Sequence, residues 1–240
     1  MTRLNKHIAR MLGISRREAD DLIDSGKVMV DGKTAHLGQQ SEKHTSIVVD
    51  GKEIDQDTPA QYIALNKPVG YVCSRKQQGD NPTIFSLLPP ELQQLKTVGR
   101  LDRDSSGIIL LTNDGDFAHS MTHPSFSKVK IYDVELNKPL EPLHQQMISD
   151  HGVQLEDGLS KFMIEKIETH SKRFSVKIDS EEANNKITYK ITMREGRNRQ
   201  IRRTFDVLGY TVTKLHRIQF GNFSLVNIQI DSGNWKKINI

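Results

Sequence analysis

The amino-acid sequence predicts an α+β protein in two parts: a small helix-helix-strand module at residues 1–56, then a mixed, largely antiparallel-sheet domain at residues 61–240. Three observations carry this. The N-terminal stretch holds two short amphipathic helical patterns followed by two alternating segments that each end in Asp-Gly. From Tyr62 onward, short apolar segments bounded by turns outnumber helical ones. Those segments also fail to alternate with helices as a regular βαβ repeat requires.

Taken in order, Arg3 to Leu12 puts Leu4, Ile8 and Met11/Leu12 on one helical face, closed by Gly13. Ser15-Arg16-Arg17-Glu18 has the capping-box spacing and opens a second helix carrying Ala19, Leu22 and Ile23 up to Gly26. Val28 to Val30 and Ile47 to Val49 read as strands, with Asp31-Gly32 and Asp50-Gly51 as hairpin turns. Asp55 to Gln61, polar and holding Pro59, reads as the linker. Strands follow at Tyr62–Leu65, Ile108–Thr112, Val129–Leu136, Phe162–Ile167, Arg173–Ile178, Ile187–Met193 and Phe223–Ile230. Helices are expected at Phe117–Met121, Leu140–Ile148 and Asn198–Leu208, the last with Asn198 as its cap and Gly209 as its stop.

Composition narrows the class of protein. One cysteine, Cys73, excludes a disulfide scaffold and a cysteine-built zinc finger, and points to a reducing cytoplasm. The basic N-terminus runs into no apolar core of a signal peptide, and the longest apolar run, near Gly107 to Thr112, is far too short for a membrane helix. The formal charge is only +4. Its distribution is uneven: residues 186–217 carry nine basic side chains against two acids, a local +7, which leaves the rest of the chain near −3. Residues 1–33 hold seven basic groups against five acids. Two separated basic patches suit a polyanion gripped at two places, and a solvated helix face suits either patch alone.

The densest constellation is Gly99-Arg100-Leu101-Asp102-Arg103-Asp104-Ser105-Ser106-Gly107, running into the apolar strand. A polar loop feeding a buried strand can hold a side chain rigidly and still present it to substrate. Calcium is one reading, since Asp102, Asp104, Ser106 and Gly107 fall at EF-hand positions, but Asn113 stands where the bidentate Glu belongs. Paired-carboxylate hydrolysis by Asp102 and Asp104 is another. A lone nucleophilic Asp with a cationic neighbour and an aromatic partner is the third, and an Asx-turn closing the strand entry is the structural alternative. Lys130, Tyr132 and Val134 share one strand face, so Tyr132 is a candidate partner or a core ring. Arg199, Arg202 and Arg203 crowd a helix N-terminus, where cations oppose the dipole and therefore point to a carboxylate or phosphates. His119 and His123 have helical zinc spacing, but Ser120 replaces the needed Glu and Pro124 interrupts. Trp235 reads as a packing anchor, and no Walker or Rossmann glycine pattern occurs.

Two resemblances organise these residues. Arg3-Leu4-Asn5-Lys6, Ser15-Arg16-Arg17-Glu18-Ala19, Gly26-Lys27-Val28 and Val30-Asp31-Gly32-Lys33 resemble the RNA-binding domain named after ribosomal small-subunit protein S-four, over residues 3 to 54. That resemblance implies an RNA face of Arg3, Lys6, Arg16, Arg17 and Lys27. Asn66-Lys67-Pro68-Val69-Gly70, Gly99-Arg100-Leu101-Asp102 with Ser106-Gly107 and Leu111 to Gly115, Lys130-x-Tyr132, and Glu195 to Arg203 resemble the ribosomal RNA pseudouridine synthases, in the branch that carries the S-four-type module. This second resemblance spans essentially the whole chain. It implies isomerisation of uridine by cleavage of the N-glycosidic bond, rotation of the uracil and rejoining through carbon five, with no cofactor and no metal.

By the same resemblance Asp102 is the catalytic aspartate, Tyr132 the ring stacked on the flipped base, and Arg202 the arginine paired with Asp102. Lys67, Gly99, Arg100, Leu101, Lys130, Arg197, Asn198, Arg199, Gln200 and Arg203 are the expected RNA contacts. The implied partner is ribosomal RNA or a pre-ribosomal particle, without a membrane or an obligate protein partner, and the chain is expected to act as a monomer. Gly152 to Gly158 and Gly79 to Leu88 look more like the large-subunit group. Departures are Thr204, where a bulkier apolar residue is common, and His216, where an aliphatic or acidic one is usual. A non-catalytic RNA-binding or ribosome-assembly factor uses the same surfaces and is the alternative.

Overall fold

The computed structural model describes residues 1–42, 45–54, 59–76, 78–167 and 187–240. The strand expected at Arg173–Ile178, the expected linker residues Asp55 to Thr58, and Lys186 lie outside the described residues.

At the N-terminus, β1 (Thr2–Arg3) leads into α1 (Leu4–Met11) and α2 (Arg16–Asp24). The capping box forms in full: Glu18 N–H donates to Ser15 Oγ at 3.1 Å, and Ser15 N–H donates to Glu18 Oε2 at 2.6 Å. Four short strands follow, β2 (Val28–Val30), β3 (Lys33–Thr34), β4 (Gln40–Ser41) and β5 (Ile47–Val49), with β6 (Lys52–Glu53) closing the sheet order β3-β2-β5-β6. Asp31 and Asp50 take left-handed φ of 49° ahead of Gly32 and Gly51, as Asp-Gly hairpin turns require. Leu4, Ile8, Ala19, Ile23, Val28 and Ile47 bury against one another in a core separate from the rest of the protein. A core this small is marginal alone, and it gains polar ties to the larger domain. Lys96 Nζ donates to the Ile14 carbonyl at 2.5 Å just past the C-terminus of α1, and Lys6 pairs with Asp116.

The larger domain contains β7 (Tyr62–Lys67), β8 (Lys96–Val98), β9 (Ser106–Thr112), α3 (Gly115–Thr122), β10 (Lys130–Leu136) and α4 (Pro142–Gln146). The chain continues through β11 (Val153–Leu155), β12 (Gly158–Ser160), β13 (Met163–Ile167), β14 (Thr188–Met193), α5 (Gln200–Val207), β15 (Val212–Phe220), β16 (Phe223–Ser224), α6 (Leu225–Ile228) and β17 (Trp235–Lys237). Nine strands form one sheet in the order β13-β14-β10-β15-β9-β7-β17, with β16 on β15 and β8 on β9. Every pairing is antiparallel except β15 with β9, so the mixed, largely antiparallel sheet expected from the sequence is present. The expected Phe223–Ile230 strand is instead the two-residue β16 followed by a turn of helix. Ser224 Oγ accepts from Asn227 N–H and so caps that helix.

The parallel joint is short, pairing only His216 with Ser106 and Arg217 with Gly107. Gly107 has φ of +110°, and a Cβ there would lie 2.2 Å from the Arg217 carbonyl oxygen and 2.5 Å from its nitrogen. Only glycine allows the two strands to approach this closely. Side chains reinforce the joint. Arg217 Nε donates to the Ile108 carbonyl at 2.8 Å, and Ser106 Oγ lies 2.8 Å from His216 Nδ1. Burial, with a smaller contribution from Lys214, pushes the His216 pKa down to about 4, so the imidazole is neutral at physiological pH.

Two predictions test this joint. Gly107→Ala forces backbone apart rather than a flexible side chain, and is expected to cost roughly 3 kcal/mol or more. Gly32→Ala, where nothing lies within 4 Å of the added carbon, is expected to cost only about 1 kcal/mol. Urea midpoints of the two variants compare them directly. For His216, the unfolded imidazole takes up a proton near pH 6.5 and the native one only near pH 4. The unfolded state therefore binds more protons in that window, and stability falls as pH drops from 6.5 to 4, by up to about 3 kcal/mol from this group. His216→Asn is expected to flatten that part of the stability–pH curve, measured by urea unfolding at several pH values.

Candidate active site

The loop Gly99–Ser105 enters β9 along one wall of an open cavity of about 850 Å³. Asp102, Leu101 and Arg100 come from this loop, Tyr132 and Lys130 from β10, Arg217 and Leu215 from β15, and Arg199 and Ile201 from the start of α5. The joint between β9 and β15 explains the grouping: β10 lies on the other side of β15, so Tyr132 is one strand away from the loop that carries Asp102. Tyr132 is 7% exposed, and its register partner on β15 is Arg217. A ring so placed has its body packed and its edge or face at the cavity.

Lys67 lies beneath the loop and corrects an expectation. It was expected on the RNA face, but it is fully buried at 0% exposure, and its ammonium donates to the carbonyls of Ser105 at 2.6 Å, Pro68 at 3.0 Å and Arg103 at 3.4 Å. Burial lowers its pKa to about 8. Lys67 therefore ties the end of β7 to the loop rather than meeting a phosphate. Gly70 N–H adds a 2.7 Å bond to the Arg103 carbonyl, and Leu101 N–H points at Cys73 Sγ at 3.5 Å.

The arginines of α5 are also placed differently from expectation. Arg202 was expected to pair with Asp102. It faces Asp104 instead, with Nη2 donating to the Asp104 carbonyl at 2.9 Å, Nε 3.3 Å from Asp104 Oδ2 but off hydrogen-bond alignment, and Nη1 donating to the Val212 carbonyl at 2.8 Å. Arg199 bridges the two carboxylates: its Nη1 lies 3.1 Å from Asp104 Oδ1 and 3.8 Å from Asp102 Oδ2. Burial pushes the Asp104 carboxyl up, but hydrogen bonds from Arg199 and the charge of Arg202 outweigh it and hold the group below the ordinary carboxylate value. Asp104 thus engages the arginines most closely, and Asp102, its side chain about one-third exposed, lines the cavity.

Arg197 and Arg203, expected among the RNA contacts, both converge on Asp157 in the β11–β12 turn. Arg203 makes a bidentate pair at 2.7 and 3.1 Å, and Arg197 Nη1 donates to the Asp157 carbonyl and carboxylate at 2.9 and 3.1 Å. The hydrogen bonds from Arg203 hold the Asp157 carboxyl below its usual range. Asn198 does not cap α5. Arg199 takes the cap position in a left-handed conformation at φ 47°, and the Asn198 carbonyl accepts from Arg203 Nε at 2.9 Å. Gln200, also expected on RNA, is 3% exposed and stitches the turn internally: its Oε1 accepts from Arg197 N–H at 3.0 Å, and its amide donates to Ser160 Oγ and to Glu195. Leu101 is buried and contributes only an apolar edge. Thr204, which departs from the usual bulkier apolar residue, is matched by a hydroxyl partner: its Oγ1 lies 2.7 Å from Ser160 Oγ and 2.8 Å from the Gln200 carbonyl oxygen.

Arg100, Asn198 and Arg199 are exposed, while Lys130 is half-buried with its ammonium donating to the Glu195 carbonyl at 3.2 Å. In the N-terminal module Arg3, Arg16, Arg17 and Lys27 are exposed, Arg16 donating to Asn5 Oδ1 at 3.1 Å and Lys27 facing Asp50 at 3.6 Å. Lys6 is turned to Asp116 of α3. Sequence reasoning missed Arg217 as a member of the cavity: it is 3% exposed, its guanidinium stacks 4.8 Å from the Phe220 ring centroid, and its Nη2 has no hydrogen-bond partner. The signal was present in the alternation of β15, which puts Leu215 and Arg217 on the face shared with Tyr132. Among the described residues no group of three or more His, Cys, Asp or Glu side chains could hold a metal ion.

The site couples a carboxylate to a buried aromatic ring beside a cationic helix, on a mixed sheet preceded by a small helical module. Comparison with known proteins agrees with that description. Residues 61–206 match the family described as RNA pseudouridylate synthase, and residues 2–40 match the S4 domain. The chain is 33% identical over 246 residues to the ribosomal large subunit pseudouridine synthase B of Escherichia coli (strain K12), covering 99% of this chain and 79% of that protein. It is 33% identical over 226 residues to the protein of the same name from Bacillus subtilis (strain 168), covering 94% and 88%. A crystal structure of a pseudouridylate synthase superposes with a TM-score of 0.64 at 28% identity, over 100% of this chain and 96% of that one. The chain belongs to the RNA pseudouridine synthases, isomerases that here carry an N-terminal S4 domain.

Lys67→Met tests the buried tie beneath the loop. It leaves the Ser105, Pro68 and Arg103 carbonyls short of a donor and is expected to cost about 1–3 kcal/mol of stability. Where the fold survives, turnover is expected to fall further than the lost stability accounts for, checked by pairing urea unfolding with an activity assay on the same preparation.

Proposed function

We propose that the chain converts a uridine of large-subunit ribosomal RNA, free or in a pre-ribosomal particle, to pseudouridine, with Asp102 as the nucleophile. The observation that carries this reading is that Asp102 and Tyr132 line the same cavity, with the Arg199 guanidinium 3.8 Å from the carboxylate. The names of the Escherichia coli and Bacillus subtilis relatives support the choice of subunit. In this reading residues 1–56 and 61–240 act as two domains, and the chain works as a monomer in the cytoplasm.

Each role follows from physical chemistry. A uridine within a stack is out of reach, so it leaves the stack and enters the cavity, where the ring of Tyr132 replaces its lost neighbour. Asp102 keeps lone pairs available for attack, because Asp104 takes the close contacts of Arg199 and Arg202. Arg202 then serves as a positioning residue: it holds Asp104 and the Val212 carbonyl together and so fixes the loop on which Asp102 sits. Arg100 and Arg199, exposed at the cavity mouth, are suited to the phosphates on either side of the displaced nucleotide. The Arg3, Arg16, Arg17 and Lys27 surface of the N-terminal module supplies a second, distant grip.

Asp102→Asn keeps the size of the side chain and removes the nucleophile. It is expected to lower tritium release from labelled uridine in large-subunit ribosomal RNA by more than about a thousandfold, with RNA affinity retained in filter binding. Activity at the wild-type level would sink the catalytic assignment.

A further inference from the structure

Between α3 and β10 stands a group of rings with no part in the roles described so far. His119 and His123 lie one helical turn apart with ring centroids at 4.7 Å, and Phe126 packs edge-on against both, at 5.9 and 6.3 Å. All three are exposed, Phe126 at 49%. The helical histidine spacing is not a metal site, as no third ligand joins it among the described residues.

The rings are held outward by a rigid turn. Phe126 ends the short 3₁₀ helix Pro124–Phe126, whose start is capped by His123 Nδ1 accepting from Ser125 N–H at 3.3 Å, with Ser125 Oγ 2.8 Å from the same nitrogen. Ser127 follows in a left-handed conformation at φ 43°, and its carbonyl accepts from Arg194 at 3.2 Å. Such backbone is sustained only by its surroundings. An isolated exposed aromatic needs no explanation, but this one adjoins the active-site cavity. His123, Pro124, Ser127 and Lys128 are cavity lining, and Arg100 and Arg194 are exposed on the same rim. The surface therefore combines exposed aromatic rings with cations at the mouth of the chamber that holds Asp102, the composition that binds single-stranded nucleic acid.

We propose that Phe126, supported by His119 and His123, is a stacking platform for a nucleobase next to the uridine being modified. The proposal rests on the synthase reading above. Withdrawing a uridine from its stack leaves its neighbour without a partner; a ring fixed at the cavity rim takes the vacated place, and Lys128, Arg100 and Arg194 face the connecting phosphates. Stacking of this kind tolerates any base, so it contributes affinity and position rather than a sequence code.

The test uses the full chain and large-subunit ribosomal RNA transcribed with tritium-labelled uridine. Phe126→Ala and Phe126→Leu are expected to raise KM, and to weaken filter-binding affinity for the same RNA, by about tenfold, with kcat within about twofold of wild type. Phe126→Tyr, which keeps the ring, is expected to match wild type, and Phe126→Leu retains apolar bulk should Phe126→Ala fold poorly. Unchanged affinity in the Ala and Leu variants overturns the platform, as does a loss confined to kcat or one shared equally by Phe126→Tyr. Affinity lost in these variants while the wild-type chain releases no tritium supports the platform and sinks the synthase assignment for this RNA, so the two readings fail separately.

Discussion

The active site depends on two residue pairs. The β9–β15 joint pairs only Ser106 with His216 and Gly107 with Arg217, yet it connects the strand that carries the Asp102 loop to the half-sheet that carries Tyr132. Two backbone pairings form a weak seam, and each neighbouring interaction compensates for that. The missing Cβ at Gly107 lets the strands close, the Arg217 side chain bonds across to Ile108, and the neutral His216 meets Ser106. Had His216 kept its charge, the seam would enclose a desolvated cation beside Lys214. Its depressed pKa is the consequence of placing a titratable ring where only a hydrogen bond was needed.

From that seam the electrostatics of the site are arranged in layers. Below the loop, the Lys67 ammonium gathers three carbonyls and fixes the backbone. Above it, Arg202 and Arg199 converge on Asp104. Between them, the Asp102 carboxylate lies 3.8 Å from Arg199 Nη1, too distant for its lone pairs to be taken up in a hydrogen bond. A carboxylate locked in a bidentate pair is a poor nucleophile, because attack must first break the pair. Two aspartates two residues apart divide the work: Asp104 binds the arginines, and Asp102 is left available.

The sequence showed where the chemistry lies more readily than how each side chain is used. The capping box at Ser15, the Asp-Gly turns and the strand alternation around Tyr132 are local features, and they appear as expected. Partners distant in sequence were not legible. Asp157, which takes Arg197 and Arg203, lies 40 and 46 residues away, and the Lys67 contacts with Ser105 span 38. Lys67 and Gln200 are expected on the RNA face from the motif resemblance, whereas both are buried with their hydrogen bonds satisfied internally. Asn198 was misassigned as a cap because the left-handed turn at Arg199 moves the cap one residue along.

This distinction changes how the local +7 of residues 186–217 is to be understood. Arg197 and Arg203 are committed to Asp157, Arg202 to Asp104 and Val212, and Arg217 is buried against Phe220 and Ile108. Their charges build the site's architecture and contribute to its potential, and their hydrogen bonds go to groups within the protein. Arg194 and Arg199 remain exposed, joined at the cavity mouth by Arg100 from the loop and by Lys128 ahead of β10. In the proposed reading the cationic surface that meets a polyanion is therefore drawn from three segments of the chain around one opening, the arginine-rich helix contributing Arg199 at its cap. Since salt dependence counts phosphates neutralised rather than arginines present, a protein arranged this way binds RNA with a shallower salt slope than its charge cluster suggests. In the proposed reading the remainder of its affinity comes from stacked rings and from the separate surface of the N-terminal module.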